Sequence, residues 1–165
     1  MDLTKSGLVE ATLRLPFEFV IPDVMAAEEL LDLGQYSADQ LLTLGFKEGT
    51  LDGKGVTKAF AYAGEFRAEL SRQDCFALTL AEVQRCILMT GDRRLRRVAE
   101  NKDIEVHGLL WLIDLMIEHQ VVPLAEVLTG LERLAADPKV RLPRKFVNER
   151  LQKLCDQTEV GNVTE

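Results

Sequence analysis

The sequence predicts an α/β protein, a three-layer α/β/α sandwich around a mostly parallel sheet. Short apolar runs at positions 17–21, 41–46, 87–89 and 104–106 alternate with longer stretches of helical periodicity. Turn and breaker residues separate them: Pro22-Asp23, Gly53 with Gly55, Gly91-Asp92, and Asp137-Pro138. A chain of 165 residues, 47% hydrophobic and 28% charged, is also long and apolar enough for one domain with its own core, and too apolar for disorder.

Taken in order, positions 7–15 read as a short helix and Phe17 to Ile21 as a buried strand. Asp23 is a plausible N-cap for a helix over 24–31, which places Glu28 and Glu29 on its first turns, just past the carboxyl end of a strand. Leu41 to Phe46 suggests the next strand, and the glycine-rich stretch 48–55 a turn. Its Gly53-Lys54-Gly55 lacks the spacing and the hydroxyl residue of a phosphate loop. Positions 56–70 read as helix. Ser71 and Asp74 then form a capping box opening a helix whose run Cys75, Phe76, Ala77, Leu78, Leu80, Ala81, Val83 is dense enough to be interior. Ile87 to Met89 is a strand stopped by Gly91-Asp92, followed by a helix from Arg93. Ile104 to Val106 is the last strand, and helices over 108–119, 124–135 and 145–154 complete a single domain of residues 1–155, with a loose, flexible tail over 156–165.

Cys75, Cys86 and Cys155 contain no C-x-x-C pair and read as reduced core thiols, which with the absence of a signal-peptide pattern makes a cytoplasmic location the expectation. His107 and His119 have no metal-ligand spacing and read as structural. The most apolar stretch, 109–117, is interrupted by Asp114 and is too short to span a membrane. A net charge of −7 opposes tight non-specific binding to nucleic acid, so any RNA contact must be local. The dense basic cluster is Arg93, Arg94, Arg96 and Arg97; the ordinary explanation is a solvated helix face, and its place beside Asp92 is the reason to keep an RNA-binding role for Arg93, Arg96 and Arg97.

Asp74 and Asp92 each have an ordinary explanation too, as a first-turn acid and an N-cap. In an alternating parallel fold, however, Asp92 falls where ligands bind, beyond the carboxyl end of a strand.

Together these residues carry a resemblance. The segment Leu70 to Asp92 resembles the PIN-domain ribonucleases, whose core has an acid opening a helix of pattern L-S-x-x-D-x-x-A-L-x-L-A and another in a following T-G-D. The family also places an acid before a leucine in the preceding helix, which matches Glu29, with Glu28 as its fallback. The resemblance implies that Glu29, Asp74 and Asp92 hold Mg2+ or Mn2+ for hydrolysis of an RNA phosphodiester, since hard divalent ions take oxygen ligands. The runs 106–134 and 141–154 resemble the subgroup that supplies the nuclease toxins of toxin-antitoxin pairs, which implies an antitoxin partner and a homodimer.

One departure counts against these matches. PIN proteins open with a central apolar strand ending in an acid, and Met1-Asp2-Leu3 aligns just after it, so Asp2 cannot be that acid. The expectation is a sheet lacking its first central strand, a site with three acids instead of four, and a poor nuclease in the chain as it stands. A metal-dependent endoribonuclease is the first reading. The alternative is a catalytically impaired PIN-like module that binds a partner protein or RNA, and an in-frame upstream stretch encoding a short apolar run ending in Asp would decide for the enzyme.

Overall fold

The computed structural model describes residues 2–24, 36–140 and 142–161, apart from the side chains of 156–161. In chain order the elements are α1 (Asp2–Ser6), α2 (Val9–Thr12), β1 (Val20–Pro22), α3 (Ala38–Leu44), β2 (Lys47–Gly49), α4 (Gly53–Glu65) and α5 (Arg72–Gln84), then β3 (Leu88–Met89), α6 (Arg93–Glu100), β4 (Val106–His107), α7 (Leu109–Glu118), α8 (Leu124–Ala136) and α9 (Arg144–Gly161). These form two compact units, one of α1, α2 and α7 to α9, the other of everything from β1 to β4. Mixed α/β composition and parallel strands agree with the fold class expected.

In the strand-bearing unit every described ladder is parallel. β1 pairs with β2, Val20 opposite Lys47 and Pro22 opposite Gly49, and β3 pairs with β4, Leu88 opposite Val106. Among the described residues no ladder joins the two pairs. Helix α5 packs on β1 and on β3. Its residues from Cys75 to Ala81 are all buried, as its apolar density predicted. A Cβ on Gly49 would fall 2.5 Å from Val20 Cγ1 and 2.6 Å from Leu80 Cδ2, so the missing side chain is what lets α5 close onto this pair.

Several boundaries differ from the sequence reading. Residues 41–46 are not a strand. Ser37 and Gln40 form a capping box that starts α3, and Gly45, at φ 128°, closes it, so local capping outweighs the short apolar run. Helix α4 begins at Gly53 because the Asp52 side chain accepts from Gly55 N at 2.8 Å; the helix start lies inside the stretch read as a turn. The strand read over 17–21 is displaced to Val20–Pro22, the helix read over 7–15 is shortened to Val9–Thr12, and a helix over Asp2–Ser6 precedes it, separated by Gly7, whose φ is 78°. Cys86 is exposed and only Cys75 is a buried thiol, because Cys86 follows the left-handed Arg85 that ends α5 and leaves the core. The helix over 24–31, with Glu28 and Glu29, lies outside the described residues.

Helices α4 and α5 are tied by a polar link. The Tyr62 hydroxyl donates to Glu82 Oε2 at 2.8 Å, Lys58 Nζ lies 2.8 Å from Glu82 Oε1, and Lys102 Nζ sits 4.1 Å from the Tyr62 ring centroid. Burial pushes the Glu82 carboxyl up, but the bonds from Lys58 and Tyr62 and the charges of Lys58 and Lys102 outweigh it and hold the group below the usual range. A folded-state value below the unfolded one, about 4.3, gives stability that is present above that pH and lost as pH falls through the folded value. Urea midpoints measured from pH 5 down to pH 2.5 are therefore expected to fall more steeply for the wild type than for Glu82→Gln. Parallel curves would show that the link contributes nothing to acid stability. At the alkaline end, burial first, then the Glu82 bond and the charges of Glu82 and Glu65, push the Tyr62 phenol up.

The other unit is helical. α8 packs on α1, α7 and α9, and Gly130 gives Leu8 its seat, since a Cβ there would lie 2.7 Å from Leu8 Cδ1. Asp114, the acid in the most apolar stretch, is explained here. Arg150 on α9 grips it with both sides of its guanidinium, Nε to Oδ1 at 2.7 Å and a terminal nitrogen to Oδ2. Helix α9 runs on to Gly161, beyond the point where the sequence suggested a tail. None of the helices among the described residues is long and apolar enough to cross a membrane.

Candidate functional site

Asp74 stands at the third position of α5. Ser71, in extended conformation, accepts from Asp74 N at 3.1 Å, while Asp74 Oδ2 accepts from Ser71 N at 3.0 Å and from Ser71 Oγ at 2.8 Å. Asp92 is the N-cap of α6: its Oδ1 accepts from Arg94 N at 2.7 Å and Leu95 N at 3.0 Å. Both capping readings therefore hold, and both use one carboxylate oxygen only. Among the described residues Asp74 Oδ1 and Asp92 Oδ2 take no bond, and Asp92 is exposed while Asp74 is half-buried.

Asp74 opens the helix that leads into β3, and Asp92 ends the loop that leaves it. After α5 the chain reverses through Arg85, in the left-handed region at φ 53°, and returns as β3. Helix α5 thus runs antiparallel to β3, with its N-terminus toward the strand's carboxyl end.

The loop between β3 and α6 is held firmly. Thr90 N donates to His107 O at 2.9 Å, closing the strand pair. The Thr90 hydroxyl oxygen accepts from Asp92 N at 3.0 Å, a side-chain turn that sets the angle at which Asp92 leaves the strand. Sequence reasoning passed over Thr90, although its spacing from Asp92 was the available signal.

Among the arginines of α6, Arg93 and Arg94 are exposed. Arg97 is paired with Glu69. Arg96 is half-buried and bonded to backbone, NH1 to Val106 O at 3.1 Å and NH2 to Thr90 O at 3.4 Å. The four residues read as one basic cluster thus have different surroundings. His107, at the end of β4, has Nε2 2.8 Å from Glu105 Oε1.

Glu28 and Glu29 lie outside the described residues, and among the described residues no group of three or more His, Cys, Asp or Glu is placed to hold a metal ion. What is described is two acids, each with a spare oxygen. That donor type suits a hard divalent ion, because Mg2+ is commonly held by one or two carboxylates and completes its shell with water and substrate phosphate. A cleft of about 430 Å3, lined by residues such as Glu82, Arg85, Lys102 and Glu105, lies at the opposite, amino end of β3 and β4. It is mixed in charge and apart from the two acids.

A family model, DUF3368, described as a PIN domain, matches residues 1–156. No curated protein and no solved structure matches the chain. PIN domains are nuclease-type domains that generally act on RNA and use divalent metal ions. With a match across nearly its full length and parallel α/β architecture beneath it, the chain belongs to the PIN-domain family.

Proposed function

We propose that this protein is a metal-dependent endoribonuclease, a hydrolase in which Asp74 and Asp92 hold Mg2+ or Mn2+ and Glu29, or its neighbour Glu28, completes the set. One observation carries the reading: Asp74 on α5 and Asp92 after β3 each cap a helix through one carboxylate oxygen, and among the described residues the other oxygen takes no bond. A cap alone needs nothing more than the oxygen already used. When bound, the ion supplies charge stabilisation and an activated water for phosphodiester hydrolysis. The protein's own contribution is to fix the acids: Ser71 orients Asp74, and Thr90 with the first turn of α6 orients Asp92. Arg93 and Arg94, exposed beside Asp92, suit local attraction of RNA phosphates in a chain whose net charge is otherwise repulsive.

The same proposal takes the protein as the toxin of a toxin-antitoxin pair, a homodimer neutralised by an antitoxin protein. The sequence resemblance of 106–134 and 141–154 to that subgroup supports this part.

Calorimetric titration with Mn2+, paired with cleavage of a labelled single-stranded RNA, tests the reading. Metal uptake and cleavage are expected together, both weak as a site of three acids implies, and removal of the ion with EDTA should abolish cleavage while leaving the circular dichroism unchanged. A protein that cleaves equally well in EDTA is not this enzyme.

A further inference from the structure

We infer that Arg96 is a positioning residue for Asp92 and not an RNA contact. The inference rests on the reading of Asp92 as a metal-holding acid, and its evidence is the geometry of one guanidinium. Arg96 NH1 donates to Val106 O at 3.1 Å and NH2 donates to Thr90 O at 3.4 Å, so one side chain bridges β4 and the residue that follows β3. Gly108 lies beside it, where a Cβ would meet Arg96 NH2 at 3.4 Å and Thr90 O at 3.6 Å, ordinary contact distances. The residue it grips is also the one that sets Asp92, since the Thr90 hydroxyl oxygen accepts from Asp92 N at 3.0 Å. Arg96 N donates to Asp92 O at 3.0 Å as well, which ties the same arginine to both sides of the turn.

Three consequences separate this role from phosphate binding. Both terminal nitrogens already hold protein carbonyls, with Glu100 Oε1 a further 3.8 Å from NH1, whereas among the described residues the exposed Arg93 and Arg94 carry no such bonds to strand residues. A planar fork of fixed donors can span two carbonyls at once, and a lysine ammonium on a flexible stem cannot hold them in that geometry. And a partner that orients a metal-holding side chain affects metal affinity, commonly by about 10- to 100-fold, without touching the substrate.

The test uses the full chain with Arg96→Met, Arg96→Lys and, as a phosphate-contact control, Arg94→Met. Mn2+ affinity is read by calorimetry without RNA. RNA affinity is read without metal over a range of salt concentrations. Arg96→Met and Arg96→Lys are both expected to weaken Mn2+ binding by about tenfold or more while leaving the salt slope of RNA binding unchanged. Arg94→Met is expected to reduce that slope by about one and to leave Mn2+ affinity alone. Should Arg96→Met lower the salt slope, or leave Mn2+ affinity as in the wild type, the assignment is overturned. If Arg96→Met does not fold, Arg96→Lys alone decides through its Mn2+ affinity. Where the wild type itself takes up no Mn2+, the metal reading has failed, and the clamp is judged separately by amide exchange at Asp92: faster exchange in Arg96→Lys upholds it and an unchanged rate overturns it.

Discussion

Asp92→Asn is expected to fold as the wild type does and to cleave RNA roughly 100-fold more slowly or worse, the loss that several kcal/mol of missing charge stabilisation implies. The choice of asparagine is what makes the result decisive. Asn and Asp are about equally good N-caps, so the amide oxygen of the substituted side chain can still accept from Arg94 N and Leu95 N where Asp92 Oδ1 does now. What disappears is the charge on the spare oxygen. Asp92→Ala, by contrast, removes cap and charge together and is expected to lose the same activity plus about 1 kcal/mol of stability. Single-turnover cleavage in Mn2+ and urea unfolding, run on both variants, separate the two jobs. Wild-type cleavage by Asp92→Asn would reduce Asp92 to its cap.

The largest stability effect is expected at Leu78. Its side chain is fully buried in α5, in the cluster that includes Tyr62, Leu88, Leu95 and Val106. Leu78→Ala removes that packing and leaves a cavity, at a cost of about 2 to 5 kcal/mol. Against the roughly 5 to 15 kcal/mol that holds a domain of ordinary size together, this is a large fraction. Val83→Ala, on the same helix but 52% exposed, should change stability by less than about 0.5 kcal/mol. Urea denaturation of both variants provides the comparison, and equal losses would mean that α5 is not the central packing element.

The helices were legible where a side chain announced them. Ser71 with Asp74 marked the start of α5, and the apolar density after it marked that helix as interior. The strands were located only to within a few residues, because a run of two or three paired positions has no room to show a period. At 41–46 the apolar residues looked like a strand while Ser37, Gln40 and Gly45 specified a helix. The site was legible in residue type, and less so in what each residue does. Nothing in a run of four arginines says that one faces strand carbonyls, another an acid and two the solvent; that depends on where β3 and β4 lie against α6. Nor could spacing alone show that Asp74 and Asp92 cap helices with one oxygen each, which is why capping and metal holding looked like competing explanations.

The burial of α5 has a bearing on how the protein fails. A helix buried from Cys75 to Ala81 cannot detach by itself, so the segment that Asp74 opens separates only when the strand-bearing unit opens around it. Heat inactivation should then coincide with loss of tertiary structure, with no folded but inactive species accumulating beforehand.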